Sequence, residues 1–187
     1  AHIFDTLLRY DPLARPVKLV PWAAAALPEA TDDFRTWTVR VKPGIRFTDD
    51  PAFNGQPREL VAADFAYSLK RLADPATKSP NWSDLEQAGI SGLAALRREA
   101  VDGRKPFDYD RALDGLQVLD RYTLRFRLDA ARPRFPQWLA MAATGAVARE
   151  VVEAQGERTM QHPVGTGPFR LAEWRRASRI VLERNPG

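Results

Sequence analysis

The chain has no cysteine in its 187 residues, which excludes disulfides and thiolate metal sites. That absence leaves the compartment open, because many exported bacterial proteins also lack cysteine. Histidine is nearly as scarce, with His2 and His162 the only two. They cannot form a His-Glu-x-x-His or His-x-His pattern, so no metal site is expected. Lysine is rare too. Of the 28 basic residues, only Lys18, Lys42, Lys70, Lys78 and Lys105 are lysine, and the rest are arginine. No apolar run approaches the ~20 residues of a membrane-spanning helix. Catalytic signatures are also missing. There is no Gly-x-Ser-x-Gly elbow, and without cysteine there is no Cys/His nucleophile.

What the chain does contain is a 44% hydrophobic sequence broken by 15 prolines. That supplies one core, or one shared between two small subdomains, built from many short elements. Net charge is +4, but basic and acidic residues are interleaved along the whole length. A dedicated nucleic-acid binder gathers its charge on one face. A basic nucleic-acid or polyanion-binding module is therefore the alternative reading, not the leading one.

Alternation marks two strands. In 36–42, Trp37, Val39 and Val41 share one face, with Arg40 on the other. In 122–128, Tyr122, Leu124, Phe126 and Leu128 point in while Thr123, Arg125 and Arg127 point out. The turn Pro43-Gly44 then leads into 45–47, read as the second arm of a hairpin or a bent continuation. The best helix spans 62–72, where Phe65, Leu69 and Leu72 fall at helical spacing and Pro75 prevents continuation. Its start is poorly capped, because Val61 stands where Ser or Thr serves better. Residues 22–27 read as an alanine-rich helical turn stapled by Trp22. Residues 3–10 read as a short helix or strand, and 74–92 as a loop or broken helix. Further helices are expected at 93–100, 136–141 and 149–155, the last closed by Gly156.

Asp32-Asp33 and Asp49-Asp50 are acidic pairs in loops and read as solvated turn residues. Trp37, Trp138 and Trp174 read as core or subdomain packing. Trp82 differs, because it lies in the polar stretch Ser79-Pro80-Asn81-Trp82-Ser83 with no periodic apolar partner. It covers the core edge or, with Asn81, lines a ligand cleft. Gly165-Thr166-Gly167-Pro168 invites a phosphate-loop reading, which fails. Arg170 occupies the third glycine position, and a strand-like alternation follows where a helix would be needed. The glycines read instead as a tight corner before strands at 169–174 and 179–183.

Four ordered stretches carry a resemblance: Trp37-Thr-Val-Arg-Val-Lys-Pro-Gly-Ile-Arg-Phe47, Leu60-Val-Ala-Ala-Asp-Phe-Ala-Tyr-Ser-Leu-Lys-Arg71, Leu119-Asp-Arg-Tyr-Thr-Leu-Arg-Phe-Arg-Leu128 and His162 to Pro186. Together they resemble the bacterial extracellular solute-binding proteins, family 5, the dipeptide/oligopeptide-binding type that serves ABC importers. Asp49-Asp50-Pro51 departs from the family's Asp-Gly loop, and Val61 from its Thr cap. The resemblance implies an α/β fold of the periplasmic-binding-protein type II kind, represented by a partial first lobe (1–16 and 148–187) and an inserted subdomain (17–147). It implies a second lobe outside this chain and a true N-terminus upstream. The implied function is capture of a peptide or other small solute outside the cytoplasmic membrane, in the periplasm or extracellular space, for delivery to an ABC permease. It implies no catalysis and no cofactor. The expected ligand-binding residues are Asn81, Trp82, Gly165, Thr166 and Gly167. The solute itself and the oligomeric state are not legible.

Overall fold

The computed structural model describes residues 2–186. Its centre is a four-stranded antiparallel sheet. In chain order the strands are β3 (Glu29–Thr31), β4 (Thr36–Arg40), β5 (Leu116–Asp120) and β6 (Thr123–Arg127), arranged in space as β3-β4-β6-β5. Two-stranded antiparallel pairs flank it: β1 (Leu8–Tyr10) with β2 (Leu19–Pro21), and β7 (Phe169–Arg175) with β8 (Arg179–Arg184). The helices are α1 (Ala62–Ala73), α2 (Trp82–Gln87), α3 (Leu93–Gly103) and α4 (Arg149–Gln155). Among the described residues no helix is long and apolar enough to cross a membrane.

The alternation read from the sequence sets the register. Trp37 pairs with Phe126, and Val39 with Leu124. Val39, Leu124 and Phe126 are buried, while Arg40 is exposed. Arg125 is half-buried where exposure was expected, because its guanidinium reaches across to β5 and donates twice to Gln117 Oε1 at 3.0 and 2.7 Å. The inner face of the sheet packs on α1 and on the 3-10 turn Phe135–Ala140. Phe126 and Phe135 meet there at 5.0 Å between ring centroids.

Helix α1 overcomes its poor cap from inside. Asp64 Oδ2 accepts the Val61 backbone N–H at 2.8 Å, which supplies the carboxylate half of a capping box. Asp64 Oδ1 receives Arg58 Nη2 at 2.7 Å, and Arg58 Nε donates to Glu150 Oε1 at 2.8 Å. Burial opposes the charge on Arg58, but the hydrogen bonds to Glu150 and Asp64 outweigh it and raise its pKa. One guanidinium thus ties the loop before α1 to α1 and α4.

Three local expectations are corrected. Residues 22–27 form no helix, since Ala24 bridges Val41 and Ala25 N–H donates to Arg40 O at 2.7 Å. For 45–47 the hairpin arm is the reading that falls, since the segment pairs with 58–60 and not with β4: Phe47 N–H donates to Arg58 O, and Leu60 N–H to Ile45 O. Trp174 is not core, being 40% exposed on β7.

Candidate functional site

The 162–168 corner gathers segments far apart in sequence. Gly167 N–H donates to Ile3 O at 2.8 Å, and Phe169 N–H to His2 O at 3.0 Å. Gly165 O accepts from Thr48 twice, from N–H at 2.9 Å and Oγ1 at 3.2 Å. Gly167 O accepts from Asn185 Nδ2 at 3.0 Å. The backbone approach explains the glycines. A Cβ at Gly165 would lie 2.1 Å from Ile3 O, and one at Gly167 2.5 Å from His2 O. Any side chain there would drive the N-terminal segment away.

Thr166 takes part through its side chain. Its Oγ1 donates to Asp5 Oδ2 at 2.9 Å, and Trp22 Nε1 donates to Asp5 Oδ1 at 2.6 Å. The Asp5 carboxylate is buried and so needs both donors. The Arg9 guanidinium lies over the Trp22 ring, 3.6 Å from its centroid. Trp22 therefore braces the corner through Asp5 and staples no helix.

Beside the corner opens a cleft of about 910 Å³, bordered by 48–50, 161–164 and the outer parts of β7 and β8. Its walls are polar and carry both charges, with Arg170 Nε paired to Glu183 Oε1 at 2.7 Å. Its floor contains a contact that sequence reasoning missed. His162 Nε2 lies 2.5 Å from Asp50 Oδ2, and the Asp50 side chain is only 3% exposed. The expectation that Asp50 is a solvated turn residue is thus overturned. Its other oxygen accepts Ala52 N–H at 2.9 Å and caps the 3-10 turn Pro51–Phe53. An Asp directly before a Pro was the available signal for that cap. A second, apolar groove of about 390 Å³ lies between the N-terminal segment and the hairpin, lined by Phe4, Met160, Leu171, Trp174, Ile180 and Leu182 among others.

Asn81 and Trp82 lie elsewhere. Trp82 opens α2, half-buried against the core, with the Arg97 guanidinium 5.0 Å from its ring centroid. Asn81 N–H donates to Ser79 Oγ at 3.3 Å. No hydrogen bond, ion pair or ring contact among the described residues joins Asn81 or Trp82 to the corner. The structure brings Gly165, Thr166 and Gly167 together in one packed junction and sets the other two apart from it.

The architecture is part of a type II periplasmic-binding protein. It superposes on the Haemophilus influenzae OppA solved in complex with RPPGFSPFR with a TM-score of 0.78 and 28% identity, covering 99% of this chain and 33% of that one. The family model for bacterial extracellular solute-binding proteins, family 5 Middle, matches residues 18–187, and the chain belongs to that family. It is 34% identical over 157 residues to the periplasmic oligopeptide-binding protein OppA of Salmonella typhimurium, covering 82% of this chain and 26% of the relative. It is 31% identical over 189 residues to Protein XP55 of Streptomyces lividans, covering 100% of this chain and 28% of the relative. The chain thus spans about a quarter of the length of the curated relatives it matches.

Proposed function

We propose that this chain is part of the solute-binding component of an ABC importer, working in the periplasm or extracellular space. It takes a peptide or similar small solute between two lobes and delivers it to a permease in the cytoplasmic membrane. The carrying observation is the family match over 18–187, together with a fold that follows peptide-binding OppA over nearly the whole chain. The role is capture without chemistry, by hinge closure on the solute. In this reading 1–16 and 148–187 belong to the first lobe and 17–147 to an inserted subdomain. The first division falls within the β1–β2 hairpin.

In this reading Asn81 and Trp82 contact the solute, and the 165–167 corner, whose glycines are buried, sets the position of the 161–164 segment that borders the cleft. Trp82 supports this by keeping part of an aromatic ring exposed under a guanidinium, a surface suited to stacking. A polyanion-binding role gains no support. Arg58, Arg111, Arg149 and Arg170 sit on separate elements, and each is paired with a carboxylate.

Titration calorimetry of the whole protein against a peptide panel tests the reading. Micromolar binding that changes little between 50 and 200 mM salt (roughly the range over which polyanion binding collapses) is the expected result. Binding of oligonucleotides in place of peptides, with a steep loss over that salt range, would overturn it. In the same assay Trp82→Ala is expected to weaken peptide binding with little change in melting temperature. A lower melting temperature at unchanged affinity would return Trp82 to core packing.

A further inference from the structure

The His162–Asp50 contact joins residues 112 positions apart at the floor of the cleft. Asp50 caps the 3-10 turn Pro51–Phe53, and His162 leads into the glycine corner. A second tie runs alongside, from Thr48 to Gly165 O. The two ties differ in kind. The Thr48 bonds are neutral and indifferent to pH, whereas the Asp50 contact involves an imidazole, the side chain that ordinarily changes charge between pH 5 and 8.

We propose that His162 and Asp50 form a proton-dependent clasp that holds the 48–53 loop against the glycine corner, closed at acidic pH and loosened at alkaline pH. The Asp50 side chain is almost wholly buried. A carboxylate in that position gains most from a cationic partner within hydrogen-bond reach. When the imidazole loses its proton, the ion pair is lost and at most a neutral hydrogen bond remains.

The other charged groups facing the cleft are Asp49 on the loop, Arg170 and Glu173 on β7, Arg176 in the turn, and Glu183 on β8. Arg170 is paired with Glu183, and Glu173 with Arg175 and Arg179. None of these is an imidazole, so His162 is the one such group bordering the cleft. The device goes beyond the solute-binding reading and does not rest on it.

Thermal melts of the wild type, His162→Gln and Asp50→Asn at pH 5.5, 7.0 and 8.5 provide the test. His162→Gln keeps a donor at a 45%-exposed position, so the variant folds, but it cannot titrate. The wild type is expected to exceed His162→Gln by about 2–4 °C at pH 5.5, with the gap closing to about 1 °C or less at pH 8.5. Asp50→Asn, less stable overall through its burial, is expected to show the same flattened pH profile. His2→Gln serves as the control and should keep the wild-type profile. In NMR titrations of the wild type, the Thr48 and Gly165 amides should shift with the same midpoint as the His162 ring, and His162→Gln should abolish that shift. A gap equal at pH 5.5 and 8.5, or amides that stay fixed while the ring titrates, would overturn the clasp. Loss of the profile in His2→Gln would overturn it as well.

Discussion

The four-stranded sheet and the β7–β8 hairpin are written in nearly the same sequence language and end in opposite environments. In β4 and β6 the apolar positions are sealed, with Val39 at 1% exposure and Phe126 at 0%. In the hairpin the corresponding side chains stay open, with Trp174 at 40% and Ile180 at 64%. Alternation therefore chooses which face is apolar, while burial depends on a second layer. The sheet has that layer in α1 and the 135–140 turn. The hairpin's apolar face looks into the 390 Å³ groove.

The sharpest way to break this contrast is to cut both faces. Phe126→Ala should cost about 3–5 kcal/mol in denaturant melts, because a fully buried ring leaves a cavity between Trp37, Leu124 and Phe135. A loss under about 1 kcal/mol would mean that the sheet is no better packed than the hairpin.

The junction between the two regions comes next. Gly165→Ala should destabilise by roughly 1–3 kcal/mol, since its Cβ would meet Ile3 O and backbone must shift. The readout is the melting temperature, together with hydrogen exchange at the Gly167 amide, which donates to that same oxygen. Unchanged protection would show that the N-terminal segment is not held by the corner.

These expectations mark what the sequence could and could not disclose. The strands at 36–42 and 122–128, and α1, were legible because a period of 2 or 3.6 is a local property. Residues 22–27 misled. Their alanines favour a helix, but six residues between Pro21 and Pro28 are too few to pay nucleation, and pairing with 40–42 prevails. In the hairpin a register shift between Leu171 and Glu173 breaks the alternation. It turns Trp174 onto the face of Leu171, where both line the groove. No local pattern announces that bulge. Of the expected ligand residues, the glycine corner was legible as a corner. Its true partners, His2, Ile3, Asp5 and Thr48, were not, nor was the buried pairing of Asp50 with His162. Those contacts span more than 100 residues.

A weaker effect concerns pH within the well-packed region. Glu59 accepts from Arg121 Nη2 at 2.8 Å and from Gly44 N–H at 2.6 Å, and these bonds lower its pKa from 4.5 to about 2. A carboxyl depressed in the folded state adds stability above its unfolded pKa and loses it as pH falls through the folded one. The window is therefore about pH 4.5 down to 2. Glu59→Gln should lower stability at pH 6 and lose less than the wild type across that window. Parallel acid melts of the two proteins would show that the site contributes nothing.

The smallest effect is expected on the open face. Ile180→Thr keeps a β-branched side chain, so strand propensity is nearly preserved. What it removes is apolar area already in contact with water, which returns little free energy. The change in stability should stay within about 0.5 kcal/mol, the ordinary range for surface substitutions. The measurement is urea unfolding at two protein concentrations tenfold apart. A loss above about 1.5 kcal/mol at both concentrations would mean that the hairpin buries Ile180 within its own chain. A loss that grows with concentration would mean that a second copy covers the groove, since linked association adds stability by mass action. Either result would erase the difference between the two regions. An effect near zero at both concentrations would leave the hairpin as a strand pair whose apolar face is specified by sequence but has no layer against it.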